Sequence, residues 1–298
     1  LQCIHSTIHD RRGSEETTRR LSNTTAQRQR EKAPHHGAFF STHHTRNMDI
    51  LLVSLMSALA GFVDAVVGGG GLILVPSLFT AFPSAHPATL LGTNKSASVW
   101  GTLFAAWQYH RRTPLVWRAL LLASAMAFAG SLAGAFWLTQ TSSALLRQAL
   151  PAVLIALLVY TLWHKSLGHT HAPRFQGRGQ AMWLSVIGLG IGFYDGFFGP
   201  GTGSFLVFLL VRVLGFDFLQ ASAHSKVLNF ASNLAALLWL AWHGHVWWHV
   251  GLPLAVANVV GSLLGSRMAL RLGTGFVRGL FMLVVAALAM KTAHDAWF

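Results

Sequence analysis

The stretch that decides the fold is residues 192–204, which read GFYDGFFGPGTGS. Glycines and one proline separate an apolar segment at 182–198, which contains Asp195, from a second at 203–214. Proline lacks a backbone N–H and glycine disfavours a helix interior, so a helix entering this stretch has to stop and restart. The second segment is shorter than the ~20 residues that span a bilayer. The stretch therefore predicts a helix broken inside a membrane.

A related text lies 131 residues earlier, where residues 61–73 read GFVDAVVGGGGLI and Asp64 matches Asp195. Two charged pairs and a glycine–serine cluster at one offset are hard to obtain by chance in so apolar a chain. They predict an internal duplication, a feature typical of secondary transporters. The same offset relates Lys95 to Lys226, Trp117 to Trp248, Gly130-Ser131-Leu132 to Gly261-Ser262-Leu263, Gly134 to Gly265, Arg147 to Arg278 and Thr161 to Thr292.

Composition predicts an all-α polytopic membrane protein. The 298 residues are 53% hydrophobic and 10% charged, whereas soluble domains carry about 25% charged residues. The single cysteine, Cys3, excludes an internal disulfide framework. About 8–10 membrane segments are expected. The apolar runs lie at 50–67, 72–82, 89–109, 115–138, 144–163, 182–198, 203–214, 219–242, 246–266 and 276–293.

The net charge of +13 indicates membrane topology and no nucleic-acid partner. From Met48 onward, 14 Lys and Arg face five carboxylates, and most of these cations lie between apolar runs, as the positive-inside rule predicts. Residues 1–47 are polar and basic, and we interpret them as a disordered tail or a mispredicted N-terminal extension. The predicted divisions are a first transmembrane repeat at 48–164, a connecting cytoplasmic loop at 165–180 and a second repeat at 181–298.

The orientation of the two repeats depends on how the glycine-broken pairs are counted. If each pair makes an even number of crossings (two, or none if re-entrant), the loop cations fall on one side of the membrane and the repeats are inverted. If each pair makes one crossing, Arg212, Arg267 and Arg271 fall on the other side. We favour the inverted arrangement, because loops 83–88, 139–143 and 243–245 then carry no Lys or Arg on the opposite side.

The broken segments predict a binding site for a small oxyanion. Gly70, Gly71, Thr202 and Gly203 begin half-helices, whose first N–H groups are unpaired and lie at the positive end of the helix dipole. Two such ends facing each other would bind an anion. The alternative is that the glycines only permit close helix packing, and we prefer that interpretation for Gly130 to Gly134 and Gly261 to Gly265.

Charged residues inside apolar segments extend the predicted site. Lys95 and Lys226 each follow an aspartate, Asp64 and Asp195, by 31 residues. Intramembrane charges are costly and usually mark a function or an ion pair. The lysines either complete the anion site or form structural pairs within each half, Asp64 with Lys95 and Asp195 with Lys226. The aspartates are candidates for proton coupling or ion pairing. Polar residues on the same segments are further candidates: Asn94, Ser225, Asn229 and Asn233.

The histidines are weaker candidates. His164, His169 and His171 could bind a metal in the loop between the halves, but solvated loop histidines are the simpler interpretation, and no metal or other cofactor is predicted. A second group, His243, His245 and His249, lies beside Trp247 and Trp248 in a composition typical of a membrane interface. Neither glycine-rich stretch is followed by the Gly-Lys-Ser/Thr of a phosphate-binding loop, and nothing indicates a catalytic nucleophile with its base.

These motifs resemble the TauE/SafE family, also called the toluenesulfonate uptake permease family. The resemblance covers nearly all of 48–298 and leaves residues 1–47 outside. It implies a bacterial inner-membrane carrier for sulfite, sulfonates or related organosulfur anions, often an exporter. The matching segments are Gly61-Phe62-Val63-Asp64 through Gly68–Gly71 to Pro76, Gly92-Thr93-Asn94-Lys95, residues 192–203, Ser225-Lys226-Val227-Leu228-Asn229-Phe230 and Ser232-Asn233.

The sequence thus predicts a multi-pass transporter and no enzyme. Its partners are a small sulfur oxyanion or sulfonate and the lipid bilayer, and a homo-oligomer is left open. The alternative is an anion channel or a non-transporting accessory subunit, because the duplication and the buried charges fit either. The identity of the anion, the direction of transport and the coupling ion are not readable from the sequence.

Overall fold

The structure is a computed structural model that describes residues 36–146 and 173–297, and these residues are almost entirely helical. Residues 1–35, most of the apolar run at 144–163 and the loop histidines His164, His169 and His171 lie outside the described residues. The principal helices are α1 His36–Val67, α2 Gly71–Ala81, α3 Pro87–His110, α4 Trp117–Gln140, α5 Gly177–Phe197, α6 Thr202–Leu214, α7 Phe218–Trp242 and α8 Trp248–Trp297.

Two compact units divide the chain, Leu1–Met48 and Asp49–Phe298. Helix α5 begins at Gly177, four residues before the predicted start of the second repeat at 181. At its middle, α8 has a non-helical residue, Gly273, with φ 73° and ψ −164°. This kink separates the two apolar runs that the sequence places at 246–266 and 276–293.

Helix starts follow the 131-residue offset of the sequence. Gly71 and Thr202 begin α2 and α6, and Trp117 and Trp248 begin α4 and α8. The start of α3 at Pro87 likewise matches that of α7 at Phe218. Both of these helices have a side-chain N-cap, the preferred way to satisfy the first N–H groups. His86 accepts a hydrogen bond from Ala88 N at 3.3 Å, and Asp217, its equivalent, accepts one from Gln220 N at 2.9 Å.

Within residues 36–146 and 173–297, three helical segments are long and apolar enough to cross a membrane, at Ile50–Val67, Trp117–Gln140 and Trp248–Val277. Helices α2 and α6 are apolar but shorter. The three long segments are only partly buried, because many of their large apolar side chains are exposed, among them Leu51, Trp137 and Val256. A lipid environment would cover such side chains.

Glycines on α4 and α8 make close contacts between the halves. A Cβ on Gly130 would overlap the carbonyl oxygen of Leu189 on α5, and one on its equivalent, Gly261, would overlap that of Ala58 on α1. Gly134 and Gly265 repeat the pattern one turn further along. The prediction that these glycines serve close helix packing is therefore confirmed.

Hydrogen bonds between the halves show the same exchange. Ser131 Oγ on α4 donates to Ser232 O on α7 at 2.6 Å, and Ser262 Oγ on α8 donates to Gly101 O on α3 at 2.6 Å. Adding 131 to the donor of the first bond, Ser131, and subtracting 131 from its acceptor, Ser232, gives the donor and acceptor of the second bond. Such reciprocity is the property of a two-fold contact, in which one surface meets its own copy.

Candidate functional site

Two short non-helical breaks form the centre of the candidate site. The first lies between Val67, the end of α1, and Gly71, the start of α2; the second lies between Phe197 and Thr202. Gly68 and Gly199, which the offset makes equivalent, have φ of 83° and 87°. Only glycine adopts this left-handed region without strain, so these positions explain why each break is rich in glycine.

The two breaks pack directly against each other. The backbones of Gly68 and Gly203 are so close that a Cβ on either would overlap the other. Ser204 N donates to Gly68 O at 2.9 Å, and Ser204 Oγ donates to Val67 O at 3.2 Å. A Cβ on Gly71 would lie 3.1 Å from Pro200 Cα. The half-helix starts that the sequence predicts to face each other thus lie at one junction between the halves.

Lys95 of α3 reaches the second break. Its Nζ lies 2.6 Å from Asp195 Oδ1 of α5, and both residues are almost completely buried, with 2% and 1% of their surface exposed. Thr202 Oγ1 lies 2.7 Å from the same carboxylate oxygen and 2.8 Å from Gly199 O, so its single proton can serve either acceptor. The pair is thereby fixed to both sides of the break.

Lys226 of α7 makes the equivalent contact at the first break. Its Nζ donates to the main-chain oxygen of Asp64 and lies 3.2 Å from Asp64 Oδ2. Lys226 is fully buried and Asp64 is 9% exposed. Gly70 packs against the side chain of Asp64, because a Cβ at Gly70 would come 2.7 Å from Asp64 Cβ. The first break thus packs against Asp64, the aspartate of its own half.

These contacts correct the predicted pairing. The structural alternative joined Asp64 to Lys95 and Asp195 to Lys226, within each half, but the ion pairs run between the halves. The 31-residue spacing is the same in both halves and does not distinguish the two arrangements. Each lysine crosses to the other half because the breaks meet at the contact between the repeats. Two lysines and two aspartates give these four side chains a net charge of zero.

Backbone donors remain at the junction. Among the hydrogen bonds of the described residues, none is donated by the N–H groups of Gly70, Gly71 or Gly203, whereas Thr202 N donates to Gly199 O at 3.3 Å. Gly70 and Gly203 are buried, and Gly71 is partly buried. The arrangement therefore combines free N–H groups at two helix starts with two nearby ammonium groups, which is chemistry that suits an anion.

The other polar candidates lie on α3 and α7, and none of the hydrogen bonds of the described residues joins them to either ion pair. Ser225 Oγ donates to Ser222 O at 2.8 Å, and Asn233 Nδ2 donates to Asn229 Oδ1 at 3.0 Å, so these groups bond within their own helix. Asn94 Oδ1 is buried and has no partner among the described residues. A role for Asn94, Ser225 or Asn229 in binding stays a prediction.

Three residues of the site were not singled out individually from the sequence. Gly199 faces the ammonium of Lys95, since a Cβ there would lie 3.0 Å from Nζ. Tyr194 donates from its hydroxyl to Pro200 O at 2.6 Å. Ser204 joins the two breaks through its hydrogen bonds to Gly68 O and Val67 O. Their place within or beside the motif at 192–204 is the only sequence signal that could have found them.

Of the predicted interfacial histidines, His243 and His245 lie between α7 and α8. The ring of His245 stacks on that of His86, with centroids 5.3 Å apart, and its Nδ1 lies 3.3 Å from Thr89 Oγ1. Burial lowers the pKa of His245, and the nearby His86 and His243 lower it further. His249 is in the first turn of α8. These histidines form a group of their own, separate from the ion pairs.

Comparison with known proteins shows, first, that this chain belongs to the class of membrane transporters. The chain is 36% identical over 242 residues to the "Probable membrane transporter protein YfcA" of Escherichia coli (strain K12), covering 81% of this chain and 88% of that one. It is 34% identical over 241 residues to a "Probable membrane transporter protein" of Haemophilus influenzae, covering 80% and 92%. A Sinorhizobium relative, "Probable membrane transporter protein ORF9", is 36% identical over 241 residues, covering 80% and 89%.

The family follows from a match over residues 53–292 to the family described as "Sulfite exporter TauE/SafE". This chain belongs to that family, as the sequence motifs predict. No solved structure matches it significantly.

Proposed function

We propose that this chain is a secondary transporter of the bacterial inner membrane that exports a small sulfur-containing anion, sulfite or a sulfonate, by alternating access between two inverted repeats. The family description and the relatives named as transporters support this function. The observation that carries it is the reciprocal pairing of Lys95 with Asp195 and of Lys226 with Asp64 at the two touching breaks.

In this proposal the N–H groups of Gly70, Gly71 and Gly203 donate to oxygens of the anion. The anion also competes with the aspartates for the two ammonium groups. A carrier has to leave its empty site without an uncompensated buried charge, because such a charge is costly in a low-dielectric interior. The aspartates act as internal counter-ions in the empty carrier, and their release from the lysines accompanies binding.

The charge of the site supports export. The four charged side chains sum to zero when the site is empty, so a bound monoanion leaves it at −1. A membrane potential that is negative inside drives such a charge outward, at ~2.3 kcal/mol per charge per 100 mV. We therefore assign the driving force to the membrane potential and not to a pH gradient.

The distribution of cations supports the inverted arrangement. Arg111 and Arg112 follow α3, and Arg267 and Arg271 lie on α8. The offset-related positions, Trp242, His243, Phe136 and Gln140, hold no Lys or Arg. Inverted repeats put offset-related ends on opposite sides of the membrane, so one side becomes cationic, as cytoplasmic sides are. Parallel repeats would put the cationic and uncharged ends on the same side.

The function is tested by counterflow of radiolabelled sulfite in proteoliposomes containing the full chain, with empty liposomes as the control. Uptake that requires unlabelled sulfite inside is expected, and thiosulfate or a small sulfonate is expected to compete better than chloride. Flux that needs no sulfite on the opposite side and rises without saturation would indicate a channel. Flux equal to that of empty liposomes would contradict the proposed substrate class.

A further inference from the structure

Four arginines converge on one pocket away from the ion pairs. The pocket has a volume of about 210 Å³ and lies between the C-terminal end of α3 and the middle of α8. Gln108 Nε2 approaches Leu263 O at 3.5 Å across the same helix pair. The lining residues are Trp107, Gln108, Arg111, Arg112, Arg267, Leu270 and Arg271.

The charge of this pocket is not balanced within the described part of the chain. No carboxylate there lies within ion-pair distance of any of the four arginines, in contrast to Lys95 and Lys226. The guanidinium of Arg111 lies 4.7 Å from the ring centroid of Trp107, which holds it at the rim by a cation–π contact. Four exposed guanidinium groups around a small cavity suit an anion with several oxygens, because guanidinium binds phosphate oxygens in a bidentate manner.

Apolar side chains continue from the pocket along both helices. On α8, Val256, Val260, Leu264 and Met268 recur every four residues and are 68%, 52%, 53% and 40% exposed. Residues four apart lie on one helix face, so they form a stripe that ends beside Arg267 and Arg271. On α3, Trp100 and Phe104 are exposed and lead to Trp107 in the same way. In a membrane transporter such stripes face lipid chains.

We propose that the arginine pocket binds the phosphate-bearing headgroup of an anionic phospholipid, whose acyl chains lie along the two stripes. A free anion would use the arginines but not the stripes, whereas an anionic lipid matches both. Basic pockets between membrane helices on the cytoplasmic side bind doubly charged lipid headgroups by the same chemistry. The site goes beyond the proposed transport function, because it is separate from the ion pairs and needs no substrate.

The proposal is tested with the full chain in nanodiscs of phosphatidylcholine, either alone or mixed with cardiolipin or phosphatidylglycerol. The lipid that stays bound after extraction is counted by native mass spectrometry. The test variant is R267Q/R271Q. The matched control is R118Q/R178Q, which removes the same charge from two exposed arginines outside the pocket. A third arm adds inorganic phosphate or sulfate to protein in the nanodiscs that contain cardiolipin or phosphatidylglycerol.

Wild type and the R118Q/R178Q control are expected to retain the anionic lipid, and R267Q/R271Q to bind it roughly 30-fold more weakly. Equal retention by both variants would overturn the proposal, and so would equal loss from both, which would indicate a general effect of surface charge. If millimolar phosphate or sulfate displaces the lipid completely, the pocket is a free-anion site and the assignment to a lipid is wrong. Retention is measured without substrate, so a failure of sulfite transport does not affect the result.

Discussion

Two related ends of this molecule differ in chemistry although their helices correspond. The α3–α8 pair ends in a pocket with four arginines. The α7–α4 pair, which the 131-residue offset relates to it, ends in aromatic contacts. The ring centroids of Phe136 and Trp239 are 5.7 Å apart, and those of Trp239 and His243 are 4.4 Å apart. One end is cationic, while the other is aromatic.

At the centre of the molecule, by contrast, residues related by the offset have the same chemistry. The offset conserves the charged pairs, Lys95 and Lys226 with Asp64 and Asp195, and the bonded serines Ser131 and Ser262. Side chains are kept where both halves contribute equally to one junction, and they differ where the two ends meet different surroundings. The two halves thus match at their common junction and differ at their ends, as expected if the centre holds the proposed site and the ends meet different sides of the membrane.

The largest expected effect comes from leaving one buried charge without its partner. Lys95→Met strands Asp195, and Lys226→Met strands Asp64, so each should cost about 3–5 kcal/mol of stability. The double variants K95M/D195N and K226M/D64N remove both charges and should recover most of that loss. Thermal unfolding of the purified full chain measures all four. If one lysine proves dispensable while the other does not, the two halves of the centre are not equivalent.

A methyl group at the contact between the breaks should have the next largest effect. Gly68→Ala would overlap the backbone of Gly203 and would also force a side chain into a left-handed backbone conformation, so we expect a loss of more than about 2 kcal/mol. Gly190→Ala is the control, because a Cβ there meets nothing within 4 Å. Alanine favours a helix interior by roughly 0.5–1 kcal/mol, so this control should be unchanged or more stable. Equal unfolding temperatures for the two variants would refute the close contact.

The serine bonds between the halves should contribute equally and modestly. Ser131→Ala and Ser262→Ala each remove one buried hydrogen bond of 2.6 Å and should each cost about 0.5–1.5 kcal/mol. Ser124→Ala, also on α4, is a matched control, since Ser124 Oγ has no partner among the described residues. A loss at only one of the two bonded serines would break the equivalence that defines the centre.

The smallest expected effect concerns the aromatic end and is a pH dependence. The pKa of His245 is lowered in the folded chain, so the unfolded chain binds more protons and stability falls as the pH drops through the range between the two pKa values. Wild type should therefore lose more stability than His245→Asn as the pH falls from about 7.5 to about 5. Unfolding temperatures at several pH values compare them. A larger acid loss in His245→Asn would mean that the sign is wrong.

Much of the architecture was predictable because it depends on local chemistry. Glycine and proline stop helices, so the breaks before Gly71 and Thr202 follow from the sequence, and the duplication gives the matching helix starts. The repeated small residues at Gly130 and Gly261 indicate the close helix contacts that the structure has.

The sequence could not indicate which residues that are far apart in the chain contact each other in the fold. Lys95 and Asp195 are 100 residues apart, and Asp64 is a nearer carboxylate in the chain, so the spacing gave no signal for the pairs that form between the halves. The arginine pocket illustrates the same difficulty: Arg111 and Arg271 were visible as topological signals, but their convergence depends on how α3 packs against α8. The packing of the two halves against each other determines both the ion pairs and the arginine pocket.

The most direct test of the central claim is sulfite counterflow by K95M/D195N and by K226M/D64N, the two variants expected to stay folded with one ion pair removed. If the cross-half pairs form the anion site, each variant should lose sulfite flux by about 100-fold or more relative to wild type, while keeping a cooperative unfolding transition. Flux near the wild-type rate in either variant would contradict the assignment and leave the pairs as structural links between the repeats.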